Sequence, residues 1–207
     1  MGPLAYTAGY LPEDEPLLAA RANASDLGGT EPVLPAVGAG LRFLACAVGA
    51  RTVVEIGTGC GSSGIWLLRG MRPGSTLTSV DTEPEYHRMA RKAFTQAGFA
   101  QNQCRLILGR ALDVLPRLSD GTYDMVFCDA DPRDYPDYLS AALRLLRTGG
   151  IVAFNNALAG ASENAGDDEL DDALAFDLAS QVRADERLVP MMLPLGEGLL
   201  AAVKRGD

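Results

Sequence analysis

The sequence predicts an α/β protein: a mostly parallel sheet with helices on both faces and an antiparallel hairpin at its C-terminal end. Three observations carry this. Short apolar runs of β type alternate with helical patterns from residue 52 onward, joined by short connections. The first run ends in a glycine-dense turn, EIGTGCGSSG (55–64), that opens a helix. The chain closes on RLVPMMLPLGEGLLAAVK (187–204), two strand-like runs around a Gly-Glu-Gly turn.

Residues 1–50 are mostly helical in pattern, broken at Gly28–Gly29 and Pro32. TVVEIG (52–57) is a buried strand and SSGIWLLRGM (62–71) a helix, with Trp66 in its core-facing stretch. TLTSVD (76–81) is a strand. EPEYHRMARKAFTQAG (83–98) is a helix with proline at its start and glycine at its end. CRLILG (104–109) is a strand, followed by a short helix in ALDVLPRL. YDMVFCD (123–129) is a strand. YPDYLSAALRLLR (135–147) is a helix closed by Gly149–Gly150, and IVAFNN (151–156) is the next strand. Between it and the hairpin, residues 157–172 are small, polar and acidic, either a solvated loop running into a helix or a lid over a site.

At 207 residues and 47% hydrophobic, the chain suits one α/β domain over 1–207, with residues 1–50 as a helical cap and pairing segment and 51–207 as the core. Mean hydropathy is +0.05, no apolar run reaches bilayer length, and the N-terminus lacks a signal-peptide pattern. A net charge of −9 argues against nucleic-acid partners. Cys46, Cys60, Cys104 and Cys128 stand singly among apolar neighbours, which excludes zinc spacing and fits buried free thiols in a reducing cytoplasm. The one histidine, His87, lies on a polar helical stretch and is expected at the surface or an adenine rim, so no Ser–His–Asp scheme is expected.

In open α/β sheets, ligands sit outside the carboxyl ends of the strands. Gly57, Gly59, Gly61 and Gly64 allow a close backbone approach there. The strand ends carry Glu55, Asp81, Asp129 and Asp131, and the glycine turn contains no lysine or arginine. A dinucleotide pyrophosphate would be repelled by this set, whereas the sulfonium and ammonium of S-adenosylmethionine suit it. Asp81, ending the second strand, is placed to take ribose hydroxyls bidentately.

Five segments in order, VVEIGTGCGSSG, LTSVDTEPEY, LILGRALDVLPRL, YDMVFCDAD and FNNAL, resemble the catechol-type (family 3) S-adenosylmethionine-dependent O-methyltransferases, and the actinobacterial members most closely. The likeness runs from about Pro32 to Lys204. It implies a Rossmann-like class I methyltransferase sandwich with a seven-stranded sheet, pairing as a homodimer. It also implies cofactor contacts at Val33, Glu55, Gly57, Thr58, Gly59, Ser63, Asp81, Ala111 and Asp129.

The resembled family holds Mg²⁺ between an aspartate ending the fourth strand and an Asp–Asn pair ending the fifth, with a lysine as base. The ion and base together turn a phenol, with a pKa of about 10, into a nucleophile. By position the metal ligands here are Asp129, Asn155 and Asn156, one carboxylate short, so weak or absent Mg²⁺ binding is expected. The lysine position is Pro132, and Arg133 cannot act as base because its guanidinium stays protonated. Asp129 and Asp131 are the catalytic candidates. Asp131 either compensates as ligand or base or is a solvated loop carboxylate. Tyr135 borders the acceptor pocket or packs, alongside Tyr138. The reading that leads is an O-methyltransferase for a small hydroxylated acceptor, phenols included. Behind it stand a cofactor-binding protein with a degenerate catalytic site and, last, a nicotinamide-dependent oxidoreductase.

Overall fold

In the computed structural model of the chain, residues 6, 9–158 and 169–206 are described, with residues 169–176 described by their backbone alone. Two helices come first, α1 (Glu15–Leu27) and α2 (Pro35–Ala47). Then β1 (Thr52–Ile56), α3 (Ser62–Gly70), β2 (Thr76–Asp81), α4 (Pro84–Gln96) and β3 (Cys104–Leu108) alternate. A four-residue helix, α5 (Ala111–Val114), continues into a 3₁₀ turn before β4 (Tyr123–Cys128). The chain ends as α6 (Tyr135–Leu145), β5 (Leu146–Phe154), α7 (Glu169–Ala184), β6 (Leu188–Leu193) and β7 (Leu199–Lys204). The seven strands form one sheet in the order β3-β2-β1-β4-β5-β7-β6. The first five pair parallel, and β7 pairs antiparallel with both β5 and β6, as the closing hairpin predicts.

The strands read as continuous apolar runs because both faces of the sheet are covered. Alternate residues feed two separate cores. Val54, Ile56, Val126 and Val152 pack with α5, α6 and α7 on one face. Val53, Leu77, Met125 and Phe127 pack with α1, α2, α3 and α4 on the other, where Trp66 is buried as expected. Glu55 shares the second face with Val53 and is fully buried there.

Three expectations need correction. Gly149–Gly150 does not close a helix. The helix stops at Leu145, and β5 starts at Leu146, which pairs with Tyr123 before a register shift to Met125–Ile151. The two glycines therefore lie inside an irregular strand, where such residues accommodate a bulge. His87, on α4, is buried rather than lying at the surface. Cys46 is exposed, unlike the other three cysteines. Most of the 157–172 segment, on which the lid reading rests, lies outside the described residues.

Candidate active site

A cleft of about 780 Å³ opens at the carboxyl ends of β1, β2 and β4. Its floor is the β1–α3 turn. At Gly57, φ is +93°, and a Cβ there would sit 2.0 Å from the Asp129 carbonyl oxygen, so only glycine lets the turn cross the end of β4. The turn is held from outside by Asp81. Its Oδ2 accepts from the Thr58 and Gly59 amides at 2.9 and 3.0 Å, and its Oδ1 accepts from the Glu83 amide at 3.1 Å. A carboxylate offers about four lone-pair sites, and these bonds leave Oδ1 with one open. Oδ2 is therefore filled by the turn, and only Oδ1 keeps an open site for a further donor, which leaves no room for the bidentate grip expected from the sequence.

Glu55 is reassigned by its burial. Its two oxygens accept from Ser63 Oγ at 2.7 Å and Ser79 Oγ at 2.6 Å, and Ser79 Oγ lies 2.6 Å from Thr58 Oγ1. The carboxyl does not line the cleft; it braces the turn from beneath. Burial pushes its pKa up to about 8, against the pull of the two serines. Ser63 lines the cleft but spends its hydroxyl on Glu55. Its neighbour Ser62 was not singled out from sequence. It also lines the cleft, and its buried Oγ has no partner. The Ser-Ser pair at the start of α3 was the available signal, since the N-terminus of a helix favours an anionic group such as a carboxylate.

Val33, Gly57, Thr58, Gly59, Ser63, Asp81, Ala111 and Asp129 all line this one cleft, as do Asp131, Pro132 and Asn156. Asn155 does not line it. Its Nδ2 donates to Asp129 Oδ1 at 2.9 Å from below, its Oδ1 is buried without a partner, and its carbonyl accepts from Tyr135 Oη at 3.1 Å. Burial raises Asp129 from its ordinary 3.8 to about 6, while Asn155 pulls it partly back. Tyr135 packs against Phe154 rather than bordering the cleft, and Tyr138 takes that position. Tyr86 and Thr30 are further lining residues that carry no signal in the sequence, and Arg133, set aside there as a base, lines the cleft as well.

Asp131 resolves as a capped loop carboxylate. It accepts from the Arg133 backbone amide at 3.0 Å and from Arg133 Nε at 2.9 Å, and this pairing lowers its pKa. A carboxylate held in a salt bridge with a lowered pKa is a poor proton acceptor, which corrects its candidacy as base.

The donor set does not fit Mg²⁺. The group that faces Asp129 from β5 is an amide N–H₂, a hydrogen-bond donor where a cation needs an oxygen. Among the described residues no group of three or more His, Cys, Asp or Glu could hold a metal ion. S-adenosylmethionine does fit. The glycine cradle, the unpartnered Ser62 hydroxyl and the acidic lining match its backbone approach, carboxylate and cationic centres.

A seven-stranded sheet of this order with a glycine cradle at the end of its first strand defines a class I methyltransferase. An O-methyltransferase family model matches residues 7–205. A Mycobacterium tuberculosis protein named a probable O-methyltransferase is 48% identical over 203 residues, covering 97% of this chain and 89% of the relative. A Corynebacterium glutamicum crystal structure superposes with a TM-score of 0.87 at 30% identity, covering 99% of this chain and 96% of that one. The O-methyltransferase of tomaymycin synthesis from Streptomyces achromogenes, solved in complex with SAM, gives a TM-score of 0.85 at 28% identity over 98% and 95% of the two chains. The chain belongs to the family 3 O-methyltransferases.

Proposed function

We propose that this cleft binds S-adenosylmethionine and that the protein transfers its methyl group to a hydroxyl of a small acceptor without a bound metal ion. The observation that carries the reading is a glycine cradle whose acidic lining contains no cation in the turn itself. When bound, the cofactor supplies a methyl carbon already activated by its sulfonium. The chain's part is to orient and to exclude water. Ser62 holds the carboxylate of the methionine end, and the absence of side chains at Gly57 and Gly59 lets that end lie close against the turn. Asp129 faces its ammonium, Asp81 Oδ1 takes a ribose hydroxyl, and Ala111 and Val33 cover the adenosine. Placement of oxygen, methyl and sulfur in line supplies most of the acceleration for such a transfer. With proline at the lysine position and Asp131 tied to Arg133, the acceptor is one whose hydroxyl is acidic by itself or is deprotonated before binding. The same shortage of a base supports a second reading, a cofactor-binding protein without turnover.

The test has two arms. Calorimetry gives binding of S-adenosylhomocysteine and no heat with NAD; the reverse pattern would sink the proposal. Methyl-donor turnover against phenols, catechols and hydroxy acids then gives product at a rate insensitive to Mg²⁺ or chelator. Binding with no turnover across the panel would favour the second reading.

The proposal extends to a homodimer in a reducing compartment such as the cytoplasm. Free cysteines support the compartment. Among the described residues no helix is long and apolar enough to cross a membrane. An apolar groove formed by Tyr10, Leu11, α2 and β6 supports pairing through the N-terminal segment, with Phe43 71% and Met191 58% exposed on it. Light scattering at micromolar concentration gives twice the 21.8 kDa chain mass, and Phe43→Glu gives the single mass. A monomer for the unmodified protein would contradict pairing.

A further inference from the structure

The segment from Gly28 to Leu34, between α1 and α2, crosses the top of the glycine turn as a strap. Gly29, Thr30, Glu31, Pro32 and Val33 all line the cleft. The strap lies directly on the turn, because a Cβ at Gly59 would sit 2.9 Å from Thr30 Oγ1. Among the described residues no backbone N–H of 29–33 donates to another backbone group. The strap is held at its two ends by side chains instead. At the first end, Tyr86 Oη donates to the Gly28 carbonyl at 3.0 Å. At the second, Arg21 Nη2 donates to the Val33 carbonyl at 2.8 Å, and Nη1 reaches the Pro32 carbonyl at 3.5 Å.

Arg21 is itself fixed by a fork of two bonds to Glu13. Nε and Nη2 each lie 2.8 Å from a carboxylate oxygen, and the Glu13 side chain is only 5% exposed. A planar guanidinium in such a fork can direct its remaining donors at carbonyls with little further loss of freedom. Lysine gathers its three donors on one nitrogen instead of a planar fork, so it would bridge Glu13 and the strap with less directional hold. Val33, the residue so anchored, is buried and lines the cleft.

We propose that Arg21, braced by Glu13, is the positioning residue that holds the 28–34 strap down over the cofactor and so sets how long the cofactor stays bound. This rests on the cofactor reading given above. A strap that covers a bound ligand acts on its escape more than on its arrival.

The test is stopped-flow binding of S-adenosylhomocysteine to the unmodified protein, Arg21→Met, Arg21→Lys and Tyr86→Phe. Arg21→Met speeds release about tenfold, the scale of one lost charge-assisted hydrogen bond. Association stays within about twofold, as is usual when contacts rather than encounter are changed. Arg21→Lys falls between. Tyr86→Phe, which frees the other end and leaves Glu13 and Arg21 intact, also speeds release and keeps the proposal testable should Arg21→Met fold poorly. Ligand-induced protection of the Gly29, Thr30, Glu31 and Val33 amides in hydrogen exchange is lost in Arg21→Met. With saturating methyl donor, kcat is unchanged while the donor KM rises. Release unchanged in both Arg21→Met and Tyr86→Phe would overturn the proposal, as would a fall in kcat matching the loss of affinity. Failure of the unmodified protein to bind S-adenosylhomocysteine would instead overturn the cofactor reading, and the proposal with it.

Discussion

Asp81→Ala lowers affinity for S-adenosylhomocysteine by about 3 kcal/mol, on the order of a hundredfold, since charge-assisted hydrogen bonds contribute about 1.5–3 kcal/mol each. Two losses add in this one variant. The open lone pair of Oδ1 no longer meets the ribose. The Thr58 and Gly59 amides also lose the oxygen that fixes the turn. Thr58 is buried, so its N–H is left without a partner away from water, and the melting temperature falls as well. Asp81→Asn separates the two losses. Its amide oxygen takes the place of Oδ2 and still accepts from the turn, so stability largely returns, while its N–H₂ takes the place of Oδ1, loses the bond from the Glu83 amide and can only donate to a ribose hydroxyl, so affinity stays between the two extremes. Calorimetry on both variants is the measurement. Unchanged affinity in Asp81→Ala would mean that the ribose is held elsewhere and that the turn keeps its shape unaided.

How far the sequence exposes this site depends on the range of each contact. The cradle was legible because glycines and acidic residues fall at strand ends, and strand ends are visible as breaks in apolar runs. The parallel sheet was legible for the same reason. Glu55 was misplaced because a strand residue's position along the sequence does not say whether its side chain faces ligand or core. Ser63 and Ser79, on two other elements, decide that. The boundary between α6 and β5 was missed because a Gly-Gly pair after a helical pattern reads as a stop, while the pairing of Leu146 with Tyr123 is a tertiary fact. Arg21 gave no local signal at all. Its partners lie 8 and 12 residues away and meet it only when α1 packs beside the strap.

Asn155→Asp makes the stability of the site depend on a divalent ion. In the unmodified protein the Asn155 amide donates to Asp129 in the place where a second ligand carboxylate would stand. Replacing it puts two carboxyl groups about as close as the present 2.9 Å bond, and like charges at that distance cannot both ionise. The pH dependence follows from the sign of the shift. Asp129 is raised from 3.8 to about 6, so folding favours its protonated form. Its contribution to stability is whole below about pH 4 and is lost as pH rises through 6. In Asn155→Asp the pair retains a proton to higher pH, so the decline continues past neutrality. At pH 8 the variant is about 3 kcal/mol less stable than the parent, the lower range for an uncompensated buried charge, which lowers Tm by on the order of 10 °C. Mg²⁺ at about a hundred times its dissociation constant returns about 2.7 kcal/mol to the variant and little to the unmodified protein. Thermal melts of both proteins at pH 5 and pH 8, with and without Mg²⁺, make the comparison. Equal stabilisation of the two by Mg²⁺ would show that Asn155 does not keep the ion out. A variant as stable as the parent at pH 8 would show that Asp129 and position 155 do not share a proton.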